Sequence, residues 1–240
     1  IAPQVLLDLG ADVIPIACSP NGKNINLDCG STHPETLRKT VIATESNLGI
    51  AVDGDADRIL IVDEQGRILD GDQILYILAK ANISNKSFNH KVVGTITTNS
   101  GLEMKLQDMN IGLYRSDVGD KNVYSMMKKI GAIIGGESSG HIINSQYSPT
   151  GDALLIALII IKESLNNKLR ISELVSDLEL LPVQNENIDT KDLVNTDENF
   201  LNDLADEINL GNPEGRVIIR PSGTEPLIRI SIENKNEEVA

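Results

Sequence analysis

The stretch DGDADR, residues 53–58, sets three carboxylates, Asp53, Asp55 and Asp57, on alternate positions between the apolar runs LGIAV and ILIVD. Alternate side chains of an extended segment point to the same side, so the three carboxylates converge if the loop stays roughly extended. Held together without a counter-charge they repel, and hard oxygen donors in that arrangement call for magnesium or calcium. The D-x-D-x-D spacing also matches the start of a calcium EF-hand loop, and Glu64 falls at its twelfth position. Two features oppose calcium: Arg58 stands at the sixth position, where that loop needs Gly, and the flanks read as strands rather than helices. A solvated acidic turn is the plainer alternative, and the buried character of the flanks argues against it.

A second constellation, GGESSGH at 135–141, surrounds Glu137, Ser138, Ser139 and His141 with three glycines after an apolar run. Glycine permits close backbone approach, and Glu, Ser and His suit hydrogen bonding to hydroxyl groups, as in gripping a sugar. The pattern is not G-x-G-x-x-G and no P-loop lysine follows, so nucleotide binding has no support. A third, RPSGTEP at 220–226, offers the Arg220 guanidinium fork, the Ser222 and Thr224 hydroxyls and the backbone of Gly223 to an anion such as phosphate. Arg229 lies close behind. Taken singly, each of these two loops also reads as a plain turn. CGSTHPE at 29–35 brings Ser31 near His33, but no third orienting group is evident, and Ser31 or Thr32 reads better as the cap of the next helix.

These loops need elements to hold them. Apolar periodicity predicts helix at PQVLLDLG, strand at DVIPIAC, helix at PETLRKTVIATE with Thr32 and Glu35 at capping-box spacing, then strands at LGIAV and ILIVD. A short strand and the helix DGDQILYILAKA follow, the helix opening on acidic residues that suit its positive end. Strand and helix then alternate through KVVGTITT, SGLEMKLQDM, GLYRSDV, NVYSMMKK and AIIGG. Regular alternation implies crossover units on a largely parallel sheet. The next helix, TGDALLIALIIIKESL, has Thr150 as its candidate N-cap. Beyond the polar stretch LPVQNENID, one helix and the strands GRVIIR and PLIRISIE form a small α+β unit. The expected fold is α/β, with mixed, mostly parallel sheets and flanking helices, followed by a small α+β domain with antiparallel strands. The expected boundaries give units at 1–67, 68–181 and 182–240.

Composition narrows the partners. A net charge of −14 with no offsetting basic run excludes nucleic acid and anionic membrane surfaces. The longest apolar run, ALLIALIII, is far shorter than the roughly 20 residues of a membrane span. Hydrophobic content of 40% with only 2% aromatics assigns core packing to Ile, Leu, Val and Ala. Cys18 and Cys29 make no disulfide framework and fit a reducing cytoplasm. The chain opens without Met inside a helix-like pattern and reads as part of something longer.

In order and spacing, the three loops resemble the metal, sugar and phosphate loops of the α-D-phosphohexomutase superfamily. GSTHPE, VGDKNV and GGESSGH look most like the bacterial phosphoglucosamine mutases, which interconvert glucosamine 6-phosphate and glucosamine 1-phosphate through a phosphoserine and a bisphosphate. The resemblance implies that Asp53, Asp55 and Asp57 bind Mg2+ with Arg58 in support, and that Glu137, Ser139 and His141 hold sugar hydroxyls. It implies further that Arg220, Ser222, Gly223, Thr224 and Arg229 hold the phosphate that is not reacting, with Lys121 a further substrate contact. The family's phosphoserine loop, of the type TASHNP, does not occur in this sequence, so no catalytic nucleophile is assigned here and Ser31 does not inherit that role. The partners implied are a hexosamine phosphate and its bisphosphate, with a homodimer possible for the full-length protein. A phosphomannomutase or phosphoglucomutase is the neighbouring alternative, and a non-catalytic sugar-phosphate or metal binding module is an alternative of another class.

Overall fold

The acidic loop hangs between two strands that pair directly with each other. β1 (Leu48–Val52) and β2 (Ile59–Asp63) are antiparallel, with Val52 opposite Ile59, and β3 (Ile68–Leu69) extends the sheet on the far side of β2. The computed structural model describes residues 1–192, 197–211, 215–222 and 225–236. Two helices precede the sheet, α1 (Ala2–Asp8) and α2 (Glu35–Ala43). The expected strand at DVIPIAC is irregular: residues 11–18 do not run along β1, which stays an edge strand among the described residues. Pro15 within that run removes a ladder donor.

A second, four-stranded sheet has the order β5-β4-β6-β7, from β4 (Lys91–Thr95), β5 (Gly112–Ser116), β6 (Ile134–Gly136) and β7 (Ile142–Asn144). β4 runs parallel to both β5 and β6, as the alternating pattern implies, and β7 turns back antiparallel on β6. Periodicity does not mark β7, because its three residues are all buried and show no alternation. Its return places the GGESSGH turn at the sheet end.

Helices cover both faces. On one side α5 (Asp120–Ile130) presents Val123 and Met127 to Val93 and Ile143. On the other, α3 (Gly71–Ala81) buries Ile74, Leu75, Tyr76, Ile77, Leu78 and Ala79, as an almost wholly apolar helix must. α4 (Ser100–Asp108), α6 (Ala153–Asn167) and the single turn α7 (Ile171–Leu174) complete that layer. One apolar core joins Ile59, Ile61 and Leu69 of the first sheet to Val92, Ile134 and Ile142 of the second through α3 and Ile156 and Ile160 of α6. The metal-loop strands are thereby fixed on the three-layer unit.

Two expected caps are corrected. α2 starts at Glu35 after Pro34 with no side-chain cap, and Thr32 instead meets His33 Nδ1 at 3.0 Å. Pro34 takes the position before the helix and, having no N–H, cannot donate to the Thr32 hydroxyl. α6 is capped by Asp152, whose Oδ1 accepts from Leu155 N at 2.9 Å, while Thr150 turns to Ser148. The carboxylate sits one residue before the helix, where it satisfies an otherwise open N–H.

The C-terminal unit is an antiparallel sheet, β8-β10-β9, formed by β8 (Val183–Asp189), β9 (Gly215–Pro221) and β10 (Leu227–Asn234), with α8 (Glu198–Leu210) on one face. Leu201, Ala205, Val217, Ile219 and Ile228 form its core. The sequence pattern does not reveal β8, because QNENID has no apolar alternation; its pairing with β10 defines it.

The opposite sheet face docks on the three-layer unit through charge. The Glu233 carboxylate accepts from Ser100 N at the start of α4 and from Arg216 Nη2, the latter at 3.0 Å. Arg216 also donates to Thr98 O at 2.8 Å. A carboxylate suits the positive end of a helix, and this one is only 5% exposed. Removing one partner of a buried pair is strongly destabilising, so Glu233→Ala should cost about 3 kcal/mol and detach the C-terminal unit first. Urea unfolding followed by circular dichroism should show an early separate transition; an unchanged midpoint and a single transition would contradict this.

Candidate functional site

The acidic loop closes as its spacing suggests. One oxygen from each of Asp53, Asp55 and Asp57 lies within 4.8 Å of the others. Arg58 turns back on the cluster: its N–H donates to Asp53 Oδ1 at 3.1 Å, and its Nε lies 3.9 Å from Asp53 and 3.8 Å from Asp57. Ala56 takes φ +60°, a left-handed conformation unusual for a residue with a Cβ, and that kink lets the chain wrap the three carboxylates inward. Burial first, then Asp53 and Asp55, push the Asp57 carboxyl above its ordinary range, against the pull of His141. Its Oδ1 is buried and has no hydrogen-bond partner. Three hard oxygen donors, one of them orphaned, fit a divalent cation of the magnesium or calcium kind.

The Glu137 loop is stitched to this cluster. Arg58 and His141 form an isolated β-bridge, Ile59 N donates to Gly140 O at 3.0 Å, and His141 Nδ1 lies 3.1 Å from Asp57 Oδ2. Gly140, at φ +92°, is required by contact as well as conformation: a Cβ there would meet Ile59 O at 2.1 Å. Glu137 is buried and accepts from Gly119 N through Oε1 and from Ser139 Oγ through Oε2, at 3.2 Å for the latter. Gly119 belongs to VGDKNV, so that segment reaches the site through its backbone. Lys121 itself is exposed in the first turn of α5 and is not brought onto Glu137.

On the C-terminal sheet, Arg220 of β9 stands directly opposite Arg229 of β10. Like charges facing across strands are unfavourable, and burial first, then Arg229, lower the Arg220 pKa while Glu137 opposes the fall. Arg229 pairs with Glu225 at 2.7 Å, leaving its buried Nε without a partner. Ser222 N donates to Leu227 O at 2.8 Å and closes the turn. The expected anion contacts Gly223 and Thr224 lie outside the described residues. The arginine pair lines one cavity with Ser138 of the Glu137 loop.

Sequence reasoning misses a second DGD, residues 70–72. Asp70 caps α3, accepting from Asp72 N at 3.0 Å and Gln73 N at 3.2 Å, and Gly71 N donates to Ser138 O at 3.0 Å. Asp72 is 2% exposed; its Oδ2 accepts from Asn99 N at 2.8 Å, and its Oδ1 has no partner. The repeated tripeptide is a usable signal, but at a helix start it reads as dipole chemistry alone.

Three family models match this chain. They are the phosphoglucomutase/phosphomannomutase alpha/beta/alpha domain II over residues 1–66, alpha/beta/alpha domain III over 70–180 and the C-terminal domain over 203–240. The chain is 41% identical over 241 residues to a phosphoglucosamine mutase of Legionella pneumophila, covering 100% of this chain and 53% of that protein. It is 43% identical over 241 residues to one of Alcanivorax borkumensis, covering 98% and 54%. It thus spans about half the length of the curated relatives it matches. Among solved structures, a phosphoglucomutase/phosphomannomutase family protein of Burkholderia thailandensis superposes with TM-score 0.81 at 21% identity, over 99% of this chain and 54% of that one. An Aspergillus fumigatus N-acetylphosphoglucosamine mutase in complex with GlcNAc-6P and magnesium superposes with TM-score 0.71 at 20% identity, over 89% and 54%.

Asp72 carries a pH prediction. Burial first, then Asp70, push its carboxyl up to about 7, against the Asn99 N–H and Arg115. Because the folded pKa lies above the unfolded one, the folded chain holds the extra proton between them. This contribution to stability is full below the unfolded value and lost as pH rises towards 7. Asp72→Asn keeps an acceptor for Asn99 N and should gain stability over the parent at about pH 8 but not at about pH 4. The advantage should grow by at most about 1.4 kcal/mol for each pH step of one between those two pKa values. Thermal melts of both proteins at the two pH values check this; a pH-independent difference would contradict it.

Proposed function

The chain belongs to the phosphoglucomutase/phosphomannomutase family, and on that premise we propose that it forms the metal-, sugar- and phosphate-binding part of a phosphoglucosamine mutase. Such an enzyme interconverts glucosamine 6-phosphate and glucosamine 1-phosphate, an isomerisation by phosphoryl transfer. The observation that carries the proposal is the convergence of the loops: Asp57 touches His141, and Ser138 lines one cavity with Arg220 and Arg229. Identity of 41% to 44% with relatives named phosphoglucosamine mutase supports the choice of sugar.

In this reading Asp53, Asp55 and Asp57 hold Mg2+ through the oxygens that the fold brings together. Bound there, the metal supplies positive charge to the phosphoryl group in transfer, where catalysis rests on positioning and electrostatics. Arg58 adds its own charge at the same edge. Glu137 is oriented by Gly119 N and Ser139 Oγ, so its carboxylate accepts hydrogen bonds from sugar hydroxyls at a fixed position. His141, held at Nδ1 by Asp57, presents Nε2 as the remaining ring acceptor.

Arg220 and Arg229, with Ser222, Gly223 and Thr224, hold the distal phosphate, and Lys121 supplies a further charge from α5. The anion relieves the repulsion between the two facing arginines. Since the bisphosphate must present either end to the metal, this wall reads a phosphate without reading which carbon bears it.

The test supplies the half of the Legionella pneumophila relative that this chain does not match, fused ahead of it. The fusion should convert glucosamine 6-phosphate in a magnesium-dependent assay. Arg220→Ala should weaken transition-state binding by about 1.5 to 3 kcal/mol, the worth of a charged hydrogen bond, seen as a fall in kcat/KM. Turnover of mannose or glucose phosphates alone would move the assignment to a phosphomannomutase or phosphoglucomutase. Unchanged kinetics in the variant would remove Arg220 from the site.

A further inference from the structure

The cavity between the three-layer unit and the C-terminal sheet is lined by charges of both signs. It measures about 410 Å3, within the range of small-ligand sites. Arg220 and Arg229 line it together with Asp70, Asp72 and, from β8, Asn185 and Glu186. Arg229 pairs with Glu225, and among the described residues no ion pair joins Asp70 or Asp72 to either arginine.

Asp72 Oδ1 is a buried carboxylate oxygen without a partner. Its cationic neighbour is already committed: Arg115 pairs with Glu103 at 2.8 Å and donates to Thr95 O at 3.1 Å and to Thr98 O. Glu233 is held by Arg216 and Ser100 N, and it adds negative charge rather than relieving it. Above about pH 7, where the Asp72 carboxyl ionises, a water molecule would satisfy the hydrogen bond but leave the charge uncompensated, and a buried charge is costly unless paired. The complementary ligand therefore carries a cation at one place and a phosphate at another.

Building on the phosphosugar reading above, we propose that Asp72, together with Asp70, is the specificity-determining site for the protonated amine of an amino-sugar phosphate whose phosphate lies on Arg220 and Arg229. Glucosamine 6-phosphate has both charges. Glucose 6-phosphate lacks the amine, and N-acetylglucosamine 6-phosphate replaces its positive charge with a neutral amide. The upward push on the Asp72 carboxyl has the same origin, an uncompensated buried charge, and an ammonium group beside it reverses that push.

The discriminating experiment is a phosphorus NMR titration of the chain with each of these three sugar phosphates. The parent should favour glucosamine 6-phosphate over the other two by about tenfold or more, the effect of one charge-assisted hydrogen bond. In Asp72→Asn the preference should fall to near one, with a thermal melt establishing that the variant is folded. Equal affinities in the parent, or a preference unchanged by the substitution, would overturn the amine site and leave the phosphosugar reading standing. Failure of the parent to bind any of the three would overturn the phosphosugar reading itself.

Discussion

Mutual repulsion among Asp53, Asp55 and Asp57 is the constraint around which the rest of the structure is arranged. Three carboxylate oxygens held within 4.8 Å of each other do not stay there unaided. The fold holds them by packing: Ile59 and Ile61 of β2 are locked into the core, Val52 and Ile59 pair at the loop mouth, and the Gly140 carbonyl receives Ile59 N–H from the other side. Arg58 then lowers the local negative potential without cancelling it. The remainder of that negative charge is what a divalent cation takes up, and His141 ties the sugar loop to the same charge.

The same logic, with the sign reversed, governs the C-terminal unit. Arg220 and Arg229 face each other, Arg216 is committed to Glu233, and Glu233 is committed to the start of α4. Docking uses one set of charges and leaves Arg220 without an ion pair among the described residues, while Arg229 is held by Glu225. A sheet face held by directional ion pairs at one edge, with a cavity beside it, gives an anion wall a defined distance from the Glu137 loop. This follows from charge placement more than from apolar burial, because the apolar face of that sheet is turned towards α8.

Much of this is legible in the residues. DGDADR announces its convergence because alternate positions share a side, and the crossover pattern from Lys91 to Gly136 announces a parallel sheet because strand and helix alternate through it. β8 is illegible: QNENID becomes a strand only because β10 offers it a ladder, a tertiary fact absent from local pattern. Residues 11–18 fail the other way, having strand-like composition and no partner strand among the described residues. Asp72 misleads for a similar reason. Its position at a helix start explains it locally, and only the packing of Asn99, Asp70 and Glu233 around it reveals an unpaired charge. VGDKNV reaches Glu137 through the Gly119 N–H, a backbone contact that motif reading does not reveal, while the Lys121 side chain is exposed.

A metal centre at Asp53, Asp55 and Asp57 makes one demand that nothing else in the structure makes. Of the three histidines, His33, His90 and His141, only His141 touches a residue of the cluster among the described residues. A titration with divalent manganese, followed through the imidazole proton resonances, reads proximity to the bound ion directly. Selective broadening of the His141 signals at low manganese, reversed by excess magnesium, is the predicted result. Uniform loss of all three signals, or broadening confined to His33 or His90, would contradict a metal site in the DGDADR loop.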